Sequence, residues 1–183
     1  MLHAKLVVMA LIWATSYPLG RWLGAYEAPE AIVVSRVFIA FLFLCFMARI
    51  RKEPPLHLKL PICLQFFVLG FFGFCIHNYL MFEALEHTEA GKGAIINGAI
   101  PAMVMILDFL FFRRRISGLA FFGVALSFLG VLLVVSDGSI NNVLKFNIGK
   151  GEILFLLAIL GWSFYSIIAR PLLELYRPIW ITA

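Results

Sequence analysis

Ionisable and amide side chains lie within long apolar stretches of the sequence, where few polar residues are expected. They are Arg36, His77, Asn78, Asn97 and Glu83. Such side chains are costly at membrane depth unless they have partners, so they mark candidate functional positions. Arg36 is suited to bind an anionic group of a substrate; a structural ion pair, or snorkelling to the interface, is the alternative. His77 and Glu83 are candidates for a proton-linked step, His77 because histidine changes its charge near neutral pH.

Aromatic residues with a polar edge accompany these side chains near the middle of two apolar runs. An interfacial aromatic belt is the alternative role, but the central positions favour the lining of a cavity. The predicted substrate-binding set therefore consists of Trp13, Tyr17, Arg36, His77, Asn78, Asn97, Trp162 and Tyr165. For the remaining charges the simplest expectation is structural. Glu83 is expected to pair with Arg21 or Arg36, and Asp108 with the arginines at 113–115.

Signatures of enzymes are absent from the sequence. There is no Gly-x-Ser-x-Gly elbow, no His-Glu-x-x-His pair and no phosphate-binding loop. The three cysteines, Cys45, Cys63 and Cys75, have no metal-ligand spacing and indicate no disulfide framework. We therefore predict no catalytic residues, no bound metal and no cofactor, and hence a protein that is not an enzyme.

The composition indicates a membrane protein whose partner is the lipid bilayer. Hydrophobic residues make up 63% of the 183 residues and charged residues 14%, against about half and a quarter in soluble domains. A net charge of +5 could suggest nucleic acid, but the basic residues lie in short clusters between apolar runs. A run after Lys5 could be a signal peptide, yet no clean cleavage site follows, which favours a retained first span.

Six apolar runs are long enough to cross a bilayer as helices. They are Leu6–Gly24, Ala31–Ala48, Leu60–Phe82, Gly93–Phe112, Ile116–Val135 and Ile153–Ala169. The predicted fold is thus an all-α, polytopic membrane helical bundle.

Prolines and glycines within the spans indicate local features. Pro18 and Pro101 are expected to kink their helices. Glycines at Gly20 and Gly123 are expected to form close-packing faces.

The short connections between these runs differ in charge from one side of the bilayer to the other. One side has Lys5, residues 49–52, Lys59, residues 113–115, Arg170 and Arg177. The other side mixes Lys92, Lys145 and Lys150 with Glu27, Glu30, Glu86, Glu89, Asp137 and Glu152. Because cytoplasmic loops carry the excess of lysine and arginine, the amino terminus is predicted to be cytoplasmic.

The first apolar run is repeated 149 positions later. Trp13 matches Trp162, Arg21 matches Arg170 and Pro29 matches Pro178, without a gap. Five spans separate the starts of the two copies, so the second copy enters the membrane from the opposite face. Such inverted repeats occur in many secondary transporters, where they enclose a site at the midplane. Two unrelated helices that share a tryptophan are the alternative.

The sequence resembles the drug/metabolite transporter superfamily, in its EamA-type domain. The matching segments occur in order at Ala10–Arg21, Ser35–Val37, Leu69–Gly73, Ala84–Thr88, Ala99–Pro101, Arg115–Ser117 and Gly123–Val135. The resemblance implies ten helices in two inverted halves that move small metabolites. Residues 1–136 would form the first five-helix half, 137–150 a periplasmic loop and 151–183 the start of the second half. A seventh helix would begin near Trp180 and be cut off.

The function predicted from these features is a secondary active transporter that exports or exchanges a small organic metabolite, amino-acid-like or drug-like, by alternating access. The expected location is a bacterial inner membrane, and the missing half would be a carboxy-terminal segment or a second chain. A non-transporting membrane scaffold or partner subunit is the alternative.

Overall fold

A computed structural model of the chain describes residues 2–54, 60–113, 115–139 and 148–182. Six helices in these residues are long and apolar enough to cross a membrane. These first to sixth spans are His3–Leu23, Pro29–Ile50, Leu60–His87, Ala90–Phe112, Gly118–Val135 and Lys150–Leu175. A short helix, Pro178–Thr182, follows the last of them. The described part contains no strand, so the prediction of an all-α polytopic bundle is confirmed.

Several spans differ at their ends from the apolar runs of the sequence. The third span continues to His87 rather than Phe82, and the sixth runs from Lys150 to Leu175 rather than from Ile153 to Ala169. The physical reason is that a helix does not stop where its apolar stretch stops: polar residues continue it beyond the hydrocarbon region. Of the connections, Lys59, Arg114 and most of the predicted loop at 137–150 lie outside the described residues.

Three of the spans are irregular in the middle. The first span consists of helices Leu2–Ala14 and Ser16–Leu23, which meet at Thr15. The fourth consists of Ala90–Asn97 and Ile100–Phe112. Each break lies two or three residues before a proline, Pro18 or Pro101, because proline donates no hydrogen bond and its ring clashes with the carbonyl four residues back. The expected kinks are confirmed.

The third span is irregular for another reason. It begins as the helix Leu60–Gly70, widens to a π-helix over Phe71–Ile76 and ends as the helix His77–His87. The sequence analysis did not predict this widening. Such π-helical turns are rare and often lie at functional sites. Here the widened turn comes directly before His77, so it sets the direction in which that side chain leaves the helix.

The sixth span is the most buried of the six and packs chiefly on the His77–His87 helix of the third. All six spans contribute to the main core, and its most buried side chains come from the third, fourth and sixth, including Met81, Leu85, Ile96, Phe155 and Ile159. Glycines allow the helices to approach: a Cβ atom at Gly93 would collide with the Phe155 ring. Gly20 likewise packs on Phe82, as expected, but nothing in the described residues lies within 4 Å of a Cβ at Gly123. The predicted packing face at Gly123 has no partner among the described residues and stays a prediction.

The first and sixth spans run antiparallel. Arg21, near the end of the first span, donates hydrogen bonds to the backbone carbonyls of Leu85, at 3.3 Å, and Thr88. The Thr88 hydroxyl donates in turn to Glu152, near the start of the sixth span, at 2.7 Å. The end of one copy of the repeated segment thus lies beside the start of the other. This geometry is the one that the inverted repeat predicts, while the division into two halves stays a prediction.

Charged residues of the sixth span form ion pairs at both of its ends. At one end Lys92 pairs with Glu152, at 3.1 Å. At the other, Arg170 donates to Asp108 at 2.6 Å. The prediction that Asp108 pairs with the arginines at 113–115 is therefore wrong for Arg113 and Arg115, while Arg114 lies outside the described residues. Those arginines follow the end of the fourth span, whereas the sixth span crosses the fourth where Arg170 and Asp108 meet.

Candidate functional site

A half-open pocket of about 350 Å³ lies between the first, second, third and sixth spans, with His77 and Asn78 as its buried members. Its size is within the range of small-molecule sites, which is roughly 300–1,000 Å³. Five of the eight residues predicted to bind substrate line it, namely Trp13, Arg36, His77, Asn78 and Trp162. Apolar and small side chains complete the wall: Met9, Ile12, Ser16, Val37, Ala40 and Phe74.

Aromatic rings form one side of the pocket. Trp13 and Trp162 meet edge to face, with ring centroids 5.4 Å apart. Trp162 also contacts His77 and Tyr165, each with a centroid separation of 4.8 Å. Trp13 is 36% exposed, so its ring is partly accessible. The result is a wall of flat rings that can stack on an apolar or aromatic ligand.

His77 is held in place by the backbone of the sixth span. Its Nδ1 lies 2.9 Å from the carbonyl oxygen of Ala158, and the ring is 2% exposed. A carbonyl only accepts, so Nδ1 carries the hydrogen and Nε2 is the acceptor of the neutral ring. The bond joins the third span to the sixth at the level of the pocket and fixes the ring beside Trp162.

Asn78 uses its amide nitrogen within its own span. It donates to the carbonyl oxygens of Gly73 and Phe74, at 3.3 and 3.1 Å. These carbonyls belong to the π-helical turn, in which the regular helical bonds are displaced. Asn78 therefore lies on the pocket wall and also stabilises the irregular backbone beside it.

Arg36 brings the charged side chain of the second span to the lining of the pocket. Its guanidinium donates a long hydrogen bond, 3.5 Å, to the hydroxyl of Ser16, at the break in the first span. It also lies over the Phe82 ring, 5.6 Å from the centroid, within the range of a cation–π contact. Arg36 borders a second, larger groove of about 890 Å³ between the first and second spans, so it connects the two spaces.

The other three predicted residues lie outside the pocket lining, in the packing around it. Asn97 donates to the hydroxyl of Tyr17, and this bond joins the broken first span to the broken fourth span. The Asn97 Oδ1 atom is buried without a hydrogen-bond partner among the described residues. Tyr165 packs against Gly73 and Phe74 of the third span. Direct contact of these three with a ligand is not the role that their positions favour.

Glu83 is remote from the pocket, at one end of the bundle. It accepts a hydrogen bond from Lys150 at 2.9 Å and lies 3.4 Å from His87. The predicted pairing with Arg21 or Arg36 is wrong, because the extended third span places Glu83 beside the start of the sixth. Its proposed part in proton coupling stays a prediction.

A second set of polar residues was missed by the sequence analysis. Glu152 is 5% exposed and lies within hydrogen-bonding distance of both Lys92 and Thr88, while Lys92 also pairs with Asp137 at 2.7 Å. These residues were placed in solvated connections. The one available signal was the position of Glu152 in the first turn of an apolar run, where a carboxylate is favoured by the helix dipole.

The six apolar spans define an integral membrane protein. The sequence profile of the EamA-like transporter family matches residues 3–136, and the chain belongs to this family. The first five spans fall within the matched region. No solved structure matches the chain.

Curated relatives are similar over most of this chain. An uncharacterised transporter of Bacillus subtilis, YyaM, is 25% identical over 173 residues, which are 92% of this chain and 55% of the relative. An uncharacterised transporter of Archaeoglobus fulgidus is 25% identical over 98% of this chain and 62% of its own length. A Chlamydia trachomatis protein named as an S-adenosylmethionine/S-adenosylhomocysteine transporter is 23% identical over 88% of this chain and 51% of its own. The chain thus spans little more than half the length of these relatives.

Proposed function

We propose that this protein is a secondary active transporter that exports or exchanges a small organic metabolite, amino-acid-like or drug-like, by alternating access. The observation that carries the proposal is the pocket beside the contact of Trp13 with Trp162. The two tryptophans belong to spans that run in opposite directions, and the pocket lies where these spans cross. Sites of this kind are accessible from either face when one set of helices rocks on the other.

The irregular helices support the same function. Three helix irregularities lie close together around the pocket: the break at Thr15, the π-helical turn at Phe71–Ile76 and the break after Asn97. The hydrogen bond from Asn97 to Tyr17 joins the two broken helices. The ring contacts of Trp162 with Trp13 and with His77 connect the first and third spans to the sixth. Interrupted helices free backbone groups for ligands and supply hinges, and they are frequent at transporter binding sites. Since the sequence contains no phosphate-binding loop, we propose that an ion or solute gradient drives transport.

In this proposal the ion pairs at the two ends of the sixth span close the pocket, one end at a time, toward opposite faces of the membrane. Lys150 with Glu83 and Lys92 with Glu152 hold one end, and Arg170 with Asp108 holds the other. The distribution of lysine and arginine gives the proposed orientation: the end with Arg170 faces the cytoplasm of a bacterial cell, and the end with Lys150 faces the periplasm.

The test is transport by the full-length protein in proteoliposomes. Uptake and counterflow of a metabolite panel that includes S-adenosylmethionine, the solute in the chlamydial relative's name, would be measured with and without a pH gradient. The expected result is saturable flux of at least one solute, reduced in Trp162→Ala and in His77→Ala at equal protein content. Absence of flux for every solute and every gradient would favour a non-transporting scaffold or subunit.

A further inference from the structure

Arg36 is a permanently charged side chain deep within an apolar span. It lies seven residues after Pro29 and fourteen before Ile50 in the second span, which is about 10 Å from one end and about 21 Å from the other at 1.5 Å per residue. An arginine is charged at any physiological pH. At this depth the charge is costly unless an anionic or polar group compensates for it.

Three other basic residues of the bundle are compensated by carboxylates of the protein. Lys92, Lys150 and Arg170 each form an ion pair with a carboxylate. Arg36 forms none with any residue that the structure describes. Its guanidinium contacts the Ser16 hydroxyl and the face of the Phe82 ring, and it interacts electrostatically with the phenol of Tyr17. None of these groups is a carboxylate.

The surroundings of Arg36 also lack negative charge on the side of the pocket. None of the residues that line the 350 Å³ pocket is acidic, and Arg36 is its one charged member. The larger groove includes a single carboxylate, Glu27, which precedes the second span and is nine residues before Arg36 in the sequence. An anionic group can therefore reach the guanidinium from the pocket without meeting a like charge.

Another part of the pocket lining is aromatic. Trp13, Trp162 and His77 form a continuous cluster of rings, with Phe74 beside them. The ligand that complements both parts of the lining has an anionic group at one end and a flat ring at the other. A carboxylate can accept two parallel hydrogen bonds from a guanidinium, which gives direction as well as charge.

On this geometry we propose that the transported substrate is a small aromatic organic anion, with its carboxylate on Arg36 and its ring against the Trp13–Trp162 pair. The inference rests on the proposed transport function and specifies the chemical class of its substrate.

The experiment uses matched ligands on the purified full-length protein. Three ring systems, phenyl, indolyl and cyclohexyl, are each offered as the acetic acid (the phenylacetate, indoleacetate or cyclohexylacetate anion), the ethylamine and the acetamide, and the thermal unfolding midpoint is measured for each. We expect at least one of the two aromatic anions, called the aryl acetates below, to raise the midpoint in a saturable way, and its amine and amide to leave it unchanged. Cyclohexylacetate should bind several-fold more weakly than phenylacetate. A midpoint raised by the amines or amides, or by none of the acetates, would overturn the proposal.

Variants locate the binding. Arg36→Gln should weaken binding of the aryl acetate by at least about tenfold, the effect of losing a charge-assisted hydrogen bond, and Arg36→Lys should weaken it less. Arg49→Gln removes the same charge from the far end of the same span, outside the pocket, and should leave binding unchanged. Equal binding by the Arg36→Gln protein would contradict the assignment. The ligand series on the unaltered protein decides the matter even if that variant does not fold.

Failure of this proposal is distinguishable from failure of the transport function. The same preparation is assayed for counterflow of the metabolite panel. Flux of cationic or neutral solutes with no effect of aryl acetates would refute the substrate class and leave the transporter intact. Absence of all flux, together with binding of the aryl acetate, would refute transport and leave the site.

Discussion

Trp13 and Trp162 are 149 positions apart in the sequence, and their rings meet edge to face with centroids 5.4 Å apart. They are also the matched tryptophans of the repeated segment. When two segments are related by a two-fold axis, equivalent positions touch only where the axis passes between them. We infer that the axis of the proposed repeat passes through this contact, at the wall of the pocket.

The Trp13–Trp162 contact should appear as a coupling between two mutations. Aromatic pairs contribute about 0.5–1.5 kcal/mol beyond the burial of their area, so Trp13→Ala and Trp162→Ala should be non-additive by about that amount in the free energy of unfolding. The control is Trp22→Ala, since Trp22 packs on Tyr26 at the end of the first span. Additivity of the Trp13 and Trp162 changes would show that the contact is absent.

Two glycines of the third span should respond differently to the same substitution. A Cβ atom at Gly73 would overlap the ring of Tyr165, whereas a Cβ at Gly70 meets nothing within 4 Å. Gly73→Ala should therefore lower the unfolding free energy by about 1–3 kcal/mol. Gly70→Ala should be neutral or slightly stabilising, since alanine favours the helix. Equal effects in thermal unfolding would contradict the close approach of the third and sixth spans.

The spans and their relative direction could be predicted from the sequence, because apolar runs of about 20 residues and a repeat after an odd number of spans are properties of the chain itself. The pocket was predicted in part for the same reason: polar and aromatic residues in mid-span must face inward. Arg36, His77 and Trp162 accordingly line the same pocket. Tyr17 and Asn97, chosen by the same reasoning, bond to each other beside the pocket instead.

Partners at the span ends could not be predicted, because they depend on how helices cross. Asp108 is one turn from the arginines that follow it in sequence, yet the crossing of the sixth span supplies Arg170. Glu83 acquires Lys150 because two helices extend beyond their apolar runs. The composition of Phe71–Ile76 does not distinguish this π-helical turn from a regular helix. The one hint in the sequence is the polar pair His77 and Asn78 directly after it.

The pairing of Asp108 with Arg170 should be measurable as stability. Asp108→Ala leaves Arg170 without its carboxylate. We expect a loss of about 1–3 kcal/mol, below the range for fully buried pairs because Arg170 is 40% exposed. The exchange Asp108→Arg with Arg170→Asp should recover part of the loss. For comparison, Glu53→Gln removes a pair with the 65% exposed Arg177 and should cost less than about 1 kcal/mol. If the exchanged protein has a free energy of unfolding no higher than that of the Asp108→Ala protein, the pairing of Asp108 with Arg170 is contradicted.

The proposed alternating access is tested most directly by labelling the pocket from each side of the membrane. Ala40 lines both the pocket and the larger groove, so Ala40→Cys is introduced into the full-length protein after its native cysteines have been replaced. Right-side-out and inside-out vesicles are then treated with a membrane-impermeant thiol reagent. Cysteines at Glu89 and Arg51, exposed near opposite ends of the bundle, serve as controls that should each react from one side. The predicted result is that the Ala40→Cys protein reacts from both sides. Reaction from one side alone, or from neither, would contradict alternating access at this pocket.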